Sequence, residues 1–257
     1  MPWKTPKGLL IDLDGVLISG GKALPGAAAA LERLRADRVP FIIVTNATRI
    51  NRTAVLARLA AARLPAGAND VFTAPVAAAA WLRAEGLTRC RLLAGEHLRE
   101  DFAGISITQK DPDCVVVGDL GDKFDYLRLN EAFEHLIDGA VLVALHKNRY
   151  WEKDGRLRMD AGGFIAALEY ASGKPARIIG KPSADFFRLA ARRIGLEPAE
   201  TAMLGDDCES DVAGAQAAGL SGVLIKTGKY RDELFAASGV RPDRILGSIA
   251  ELPSLLK

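Results

Sequence analysis

The sequence predicts an α/β fold in which a larger unit, built on a parallel sheet, contains an inserted smaller α/β unit. Short continuous apolar runs, such as Leu9-Leu10-Ile11 and Phe41-Ile42-Ile43-Val44, are typical of strands buried on both faces of a sheet. These runs alternate with segments that carry helix signals, as in β–α–β units. The alternation in the middle of the chain stands apart, because it has strands and helices of its own.

The elements of the larger unit come first and last in the chain. Its first part is predicted to contain a strand that ends at Asp12, a helix over 25–38 that begins at Pro25, a strand over 41–44, a helix over 48–64 stopped by Pro65, a short strand over 71–72 and a helix capped by Thr73. Its last part is predicted to contain strands over 177–179, 201–204 and 223–225, a helix over 184–194 capped by Ser183, and a helix that ends before Gly219.

The smaller unit is predicted to contain strands over 91–93, 115–117 and 141–145, with helices over 124–137 and 163–171. Gly162-Gly163 is expected to be the entry to the second helix. We therefore assign residues 1–79 and 175–257 to the larger unit and residues 80–174 to the smaller one.

The composition is that of an ordinary globular protein: of the 257 residues, 49% are hydrophobic and 26% are charged. The formal net charge is +2 and no block of basic residues occurs, so no nucleic-acid partner is expected. Asp12 and Asp14 interrupt the first apolar stretch, which argues against a signal peptide or a membrane span. The three cysteines are scattered, as is typical of reduced thiols in a cytoplasmic protein. Cys208 is expected to be a packing residue, and a redox role for it stays open.

Polar residues follow the apolar runs of the larger unit where each strand ends. The carboxyl ends of parallel strands share one edge of a sheet, where the ligands of open α/β folds bind. The residues delivered to this edge are Asp12 and Asp14, Thr45 and Asn46, Lys181, and the group Asp206, Asp207 and Asp211. Each set also has a plainer interpretation, since Asp-x-Asp-Gly is common in solvated turns, Asp207 could be an acid at a helix start, and Lys181 a solvated loop lysine. The combination of the four sets favours one shared site.

The four sets resemble the sequence motifs of the haloacid dehalogenase superfamily of phosphohydrolases. The motifs occur in order as Asp12-Leu13-Asp14-Gly15-Val16, Thr45-Asn46, Lys181, and Gly205-Asp206-Asp207 with Asp211. The resemblance covers essentially the whole chain, and its first and last motifs are the specific ones. It implies a Rossmann-like core with a parallel sheet and an enzyme that hydrolyses phosphoric monoesters or pyrophosphate.

The carboxylates indicate a magnesium site. Two of them about 4 Å apart repel by roughly 4 kcal/mol at an effective dielectric of about 20, so either some are protonated or a hard divalent cation lies between them. Mg²⁺ prefers oxygen ligands, keeps several waters and takes a phosphate oxygen as a further ligand. The resemblance implies that the ligands are Asp12, the backbone carbonyl of Asp14, and Asp206, with Asp207 and Asp211 in the surrounding layer.

The resemblance also implies a role for each remaining residue of the site. Asp12 is the nucleophile that forms an aspartyl-phosphate. Asp14 protonates the leaving group and then deprotonates the water that hydrolyses this intermediate. Thr45 and Asn46 hold phosphoryl oxygens, and Lys181 supplies a positive charge against the developing negative charge.

The position of the inserted unit implies the second cap type of this superfamily, as in the NagD-like (type IIA) phosphatases. The gap from Asp14 to Pro25 is too short for a lid, so the cap domain falls between Asn46 and Lys181. Residues 144–150, 164–171 and 224–230 resemble the subfamily of haloacid dehalogenase-like hydrolase domain-containing protein 2 and phospholysine phosphohistidine inorganic pyrophosphate phosphatase. That subfamily has serine where this chain has Asp14, so the resemblance alone does not carry over its substrate preference.

A cap of this size would admit small phosphorylated substrates only. The strand over 141–145 delivers five candidate specificity residues at its end, namely His146, Lys147, Asn148, Arg149 and Tyr150. Two cations and a histidine indicate a substrate with negative charge beyond its transferred phosphoryl group, of which pyrophosphate is the simplest. Alternatively, the cations are solvated and Tyr150 packs within the cap or in a homodimer contact through it.

Two non-catalytic interpretations compete with the phosphatase. A signalling receiver module also places aspartates, a threonine and a lysine at a sheet edge, but it is a single small domain with its phosphorylated aspartate on a later strand. A phosphate-binding protein that has lost catalysis would be expected to lack Asp12, Asp14 or Lys181, and the sequence has all three. Magnesium-dependent phosphate release separates the three interpretations.

Overall fold

Two parallel sheets carry the fold, and each belongs to its own compact unit. The computed structural model describes residues 3–153 and 156–256. Of these, residues 3–45, 52–72 and 181–256 form the larger unit, and residues 46–51 and 73–180 form the smaller one, apart from the two that are not described. Among the described residues we find no helix with the length and apolar character that crossing a bilayer requires.

The strands are, in chain order, β1 (Gly8–Asp12), β2 (Ile18–Ser19), β3 (Lys22–Ala23), β4 (Phe41–Thr45), β5 (Val71–Thr73), β6 (Arg89–Leu93), β7 (Ser106–Ile107), β8 (Cys114–Val117), β9 (Val141–Ala144), β10 (Tyr150–Lys153), β11 (Arg156–Met159), β12 (Arg177–Ile178), β13 (Thr201–Gly205), β14 (Ser221–Ile225) and β15 (Arg244–Leu246). The α-helices are α1 (Ala27–Ala36), α2 (Arg52–Ala61), α3 (Ala74–Ala84), α4 (Tyr126–Ile137), α5 (Ala161–Ser172), α6 (Ala184–Arg193), α7 (Gly214–Ala217) and α8 (Asp232–Ser238). A π-helical segment, Cys208–Ala213, precedes α7, and short 3₁₀ segments include Glu96–Phe102.

The sheet of the larger unit has the strand order β15-β14-β13-β1-β4-β5, so β1 lies in its interior. Leu9, Leu10 and Ile11 are fully buried, as a strand covered on both faces requires. Strand β1 runs parallel to both β13 and β4, and the register pairs Asp12 with Val44. The polar residues that follow β1, β4 and β13 therefore begin at the same edge of the sheet.

The sheet of the smaller unit has the order β12-β9-β8-β6-β7, and all four of its strand pairs are parallel. Helices α4 and α5 pack on this sheet, and an apolar core lies between them and its strands. This core includes Leu93, Val115, Val117, Leu136, Leu142 and Ile165. The predicted α/β class with parallel sheets is thus confirmed in both units.

Several local predictions differ from the structure. The helix expected from residue 48 begins only at Arg52, because residues 46–51 form a loop assigned to the smaller unit. Ser183 precedes α6 but its side chain makes no capping hydrogen bond. Gly162 and Gly163 lie inside α5 rather than before it, and Asp160 caps that helix by accepting a hydrogen bond from the Ala161 N–H. Residues 73–79 and 175–180 are also counted with the smaller unit, so its boundaries lie outside the expected ones.

Candidate active site

Asp12 stands at the carboxyl end of β1 and shares a lysine with a second aspartate. Its side chain is buried, and its Oδ1 accepts a hydrogen bond of 2.6 Å from the Lys181 ammonium. Lys181 donates a second bond of 2.6 Å to Asp211 Oδ1. All three side chains are less than a tenth exposed. One buried ammonium therefore faces two buried carboxylates.

Asp206 follows β13 and is enclosed by two glycines. Its Oδ2 accepts a hydrogen bond of 2.7 Å from the backbone N–H of Lys229. Gly15 and Gly228 both adopt positive φ angles, and a Cβ atom at either position would overlap the Asp206 carboxylate. The Thr227 hydroxyl donates a 2.5 Å hydrogen bond to the Gly15 carbonyl and so ties the two glycine turns together. Glycine is required at both positions because the backbone must pass directly beside the carboxylate.

Asp12, Asp206 and Asp211 together form a buried carboxylate cluster. One oxygen from each lies within 4.8 Å of the others. Burial raises the pKa of Asp12 to about 8; Lys181 opposes this shift, and the neighbouring Asp211 adds to it. Burial likewise raises the pKa of Asp206 to about 6 against the opposing hydrogen bond from Lys229. Burial disfavours charge on Lys181, but Asp12 and Asp211 outweigh it and raise the Lys181 pKa.

These shifts show that one ammonium does not neutralise the cluster. Three carboxylates and one lysine leave two negative charges in a site that water barely reaches. Protons or a divalent cation must balance them. An all-oxygen donor set of this kind fits a hard cation such as Mg²⁺.

Asp207 and Asp211 have different roles in the structure of the site. Asp207 caps the π-helical segment, because its Oδ1 accepts hydrogen bonds from the backbone N–H groups of Glu209 and Ser210. This segment turns Asp211 back into the carboxylate cluster, where its Oδ1 accepts a hydrogen bond from Lys181. Asp207 contributes through its backbone, which donates a 3.2 Å hydrogen bond to Asp211 Oδ2. Burial raises the pKa of the nearby Cys208 thiol, which suits a packing residue better than a reactive one.

The Asp14 side chain lies outside the carboxylate cluster. Its side chain is 52% exposed and forms an ion pair with Arg58 of α2. The Arg58 guanidinium donates through both terminal nitrogens, at 2.5 Å to Oδ1 and 3.5 Å to Oδ2. Arg58 could not be predicted as a partner of Asp14, because a helix arginine 44 residues away is not part of any motif.

Thr45 and Asn46 are adjacent in the chain but belong to different units. Thr45 is buried at the end of β4, next to the residue that pairs with Asp12. Asn46 begins the loop of the smaller unit, where its Oδ1 occupies the space that a side chain on Gly180 would need.

Comparison with known proteins identifies the family. The haloacid dehalogenase-like hydrolase profile matches residues 9–108, and the HAD-hydrolase-like profile matches residues 178–252. The chain is 44% identical over 225 residues to haloacid dehalogenase-like hydrolase domain-containing protein 2 of Bos taurus, covering 88% of this chain and 86% of that protein. It is 36% identical over 256 residues to phospholysine phosphohistidine inorganic pyrophosphate phosphatase of Rattus norvegicus, covering 97% and 94%.

The chain belongs to the haloacid dehalogenase-like hydrolases. Among solved structures, NagD from E. coli K-12 superimposes on this hydrolase with a TM-score of 0.87 at 26% identity, covering 96% of this chain and 98% of that one. The predicted NagD-like branch of the superfamily is thereby confirmed. The likeness to named hydrolases and phosphatases also confirms an enzyme instead of a receiver module.

The candidate specificity residues of the hydrolase's smaller unit do not form one cluster. His146 is buried, whereas Asn148, Arg149 and Tyr150 are exposed. Lys147 is half-buried and forms a 2.5 Å ion pair with Glu169 of α5. His146 is therefore in a different environment from the four residues that follow it.

Proposed function

We propose that this hydrolase is a magnesium-dependent phosphatase that acts on small phosphorylated compounds or pyrophosphate through an aspartyl-phosphate at Asp12. The observation that carries this proposal is the buried carboxylate cluster with Lys181 bonded to Asp12. A nucleophilic carboxylate, a cation beside it and an oxygen donor set are the parts that phosphoryl transfer requires. The phosphatase among the relatives supports the same reaction class.

Magnesium would be held by Asp12, Asp206 and the backbone carbonyl of Asp14, with Asp211 completing the acidic environment. When bound, the ion neutralises the carboxylates and a phosphoryl oxygen, so that two anions can approach each other. The carboxylate cluster fits this ion because its charge exceeds what Lys181 balances.

The chemistry uses Asp12 and Asp14 in turn. An Asp12 oxygen attacks phosphorus while the bond to the leaving oxygen breaks, and Asp14 gives that oxygen its proton. Asp14 then takes a proton from a water molecule, whose oxygen attacks the aspartyl-phosphate and releases inorganic phosphate and free Asp12. Because Arg58 pairs with Asp14 in the structure, the Asp14 side chain has to exchange this partner for the leaving group.

Lys181, Thr45 and Asn46 bind and orient the phosphoryl group in this proposal. The Lys181 ammonium lies 2.6 Å from the Asp12 carboxylate, so its positive charge stabilises the negative charge that develops on the phosphoryl group as Asp12 attacks. Thr45 is buried and follows Val44, the residue that pairs with Asp12 in the sheet, and its hydroxyl can donate a hydrogen bond. Asn46 can donate through its amide nitrogen.

The inserted smaller unit is assigned the role of the cap domain, which restricts access to small substrates. Lys147 and Arg149 remain candidates for recognising extra negative charge on the substrate. We also propose that the protein is cytoplasmic and forms a homodimer through the cap. Size-exclusion chromatography with light scattering tests the dimer.

Release of phosphate from p-nitrophenyl phosphate tests the function. The purified chain is assayed with Mg²⁺, with Ca²⁺ and with EDTA, and Asp12→Asn serves as the inactive control. We expect multiple turnovers with Mg²⁺ only, because the larger and looser calcium shell misplaces the attacking carboxylate. Full turnover after chelation would contradict the metal requirement. The absence of turnover with every divalent cation tested would contradict the proposed phosphatase activity.

A further inference from the structure

The loop that follows β4 is anchored to three different elements of the smaller unit. We call residues 46–51 the anchored loop. Thr48 Oγ1 lies 3.0 Å from His146 Nε2, just after β9. Arg49 forms an ion pair with Asp119, just after β8. Asn51 Nδ2 donates a 3.1 Å hydrogen bond to the carbonyl of His97, in the 3₁₀ segment after β6.

The Thr48–His146 contact is the buried member of this set. Both side chains are almost fully buried, with relative exposures of 3% each. The backbone N–H of Asn148 points to His146 Nδ1 at 3.4 Å, which makes Nδ1 the acceptor and Nε2 the protonated nitrogen. Nε2 then donates to the Thr48 hydroxyl, and the Asp160 carboxylate lies 3.9 Å from the same nitrogen. Loss of one partner would leave a buried polar group unsatisfied.

The start of the anchored loop packs at the same place. Gly180 donates its backbone N–H to the carbonyl of Leu145 at 3.0 Å. A Cβ on Gly180 would overlap both this carbonyl and Asn46 Oδ1, so Asn46 fits closely against the backbone one residue before His146. Asn46 and Thr48 therefore both rest on the end of β9.

We propose that His146 is a positioning residue for phosphate binding: through Thr48 it holds the anchored loop, and with it Asn46, in the conformation that binds the phosphoryl group. This inference rests on the proposed function, in which Asn46 is a phosphate ligand. It replaces the role expected for His146, because a buried side chain bonded to a loop residue supports that loop and does not select substrates.

Three variants test this role in steady-state assays of the full chain with p-nitrophenyl phosphate and Mg²⁺. Thr48→Val and His146→Leu each remove the hydrogen bond, and His146→Gln retains a donor near the position of Nε2. We expect the first two to raise KM, and the Ki of inorganic phosphate, by about tenfold, the effect of one buried hydrogen bond of ordinary strength. We expect kcat to stay within about threefold and His146→Gln to recover most of the loss. The double variant should lose no more than either single one.

His135→Leu is the matched control. His135 is another mostly buried histidine of the smaller unit, on α4, and the nearest acid to its Nε2 is Glu131 of the same helix, at 3.9 Å. It should leave KM unchanged. An equal rise in KM for His135→Leu, or a loss in kcat alone for Thr48→Val, would overturn the positioning role.

Hydrogen–deuterium exchange separates this proposal from the proposed function. We expect amides of residues 46–51 to exchange faster in Thr48→Val and His146→Leu than in the wild type, and unchanged exchange in His135→Leu. If the wild type released no phosphate, the phosphatase proposal would fail, while faster exchange would still establish the anchoring. Unchanged exchange at 46–51 in both variants overturns the inference, whatever the activity.

Discussion

Replacing Lys181 by methionine tests the electrostatic balance of the carboxylate cluster. The Lys181 Nζ atom lies 2.6 Å from Asp12 Oδ1 and 2.6 Å from Asp211 Oδ1. At an effective dielectric of about 20, each of these ion pairs is worth about 6 kcal/mol before desolvation. Loss of hydration around the three buried charges offsets most of this sum. Removing one partner of such a buried arrangement leaves uncompensated charge, which typically costs about 3–5 kcal/mol. We expect Lys181→Met to lower the free energy of unfolding by about this amount at pH 8.5 without divalent cations.

The loss should be smaller at low pH. Lys181 lowers the pKa of Asp12, so its removal moves that pKa further above the unfolded value. A group whose pKa is raised on folding binds its proton more tightly in the folded state, and its contribution to stability is lost as the pH rises through the folded pKa. In the variant Asp12 is neutral at pH 5.5 and needs no counter-ion, so the difference from the wild type should grow between pH 5.5 and 8.5.

Guanidinium unfolding in EDTA at the two pH values measures the effect. Lys7→Met is the matched control, because Lys7 lies at the same 2.6 Å from Glu200 but its side chain is 67% exposed. We expect no measurable change for the control, since exposed ion pairs contribute little. An equal loss for both variants, or a loss at Lys181 that does not depend on pH, would refute the reasoning.

Three further predictions concern catalysis and metal binding. Asp12→Asn should abolish phosphate release, whereas Asp14→Asn should leave a trace, with a loss of roughly 10²–10⁴-fold for the missing acid and base; equal small losses in the two variants would contradict the role assignment. The rise in melting temperature produced by saturating Mg²⁺ should be larger at pH 8.5 than at pH 6. The pKa values of Asp12 (about 8) and Asp206 (about 6) are raised, so protons must leave before the ion binds. An equal rise at both pH values in differential scanning fluorimetry would argue against a metal at these carboxylates. Alanine at both Lys147 and Arg149 should raise KM for pyrophosphate and leave KM for aryl phosphates nearly unchanged; steady-state kinetics that show equal effects on both substrates would exclude this loop from specificity.

The parts of the site that follow directly from strand ends could be predicted from the sequence. Continuous apolar runs mark strands buried on both faces, and parallel pairing then brings their carboxyl ends together. Asp12, Thr45 and Asp206 lie where this reasoning put them. Their positions in the chain follow from where each strand ends, which is a local property.

The remaining contacts depend on tertiary structure that no local pattern encodes. Asp211 is expected near this edge from the sequence, but its hydrogen bond with Lys181 depends on a π-helical segment that changes the direction of its side chain, and a helix period of 3.6 residues would not indicate that. Asp14 forms an ion pair with Arg58, which lies on a helix 44 residues further along the chain, and Lys147 forms one with Glu169, 22 residues further on. Pairs of exposed or half-exposed charges have many alternative partners in a sequence, and only the packing of the helices selects one of them.

The two glycines around Asp206 have a consequence for the order in which the protein is made. Gly15 lies close to the start of the chain and Gly228 close to its end, and Thr227 bonds to Gly15 across 212 residues. A growing polypeptide that has emerged as far as α7 therefore has all three carboxylates of the cluster but lacks Gly228, which lies against Asp206, and the Lys229 N–H that bonds it. The loop after β14 completes the surroundings of Asp206, so the carboxylate cluster is fully enclosed only after this part of the larger unit has left the ribosome.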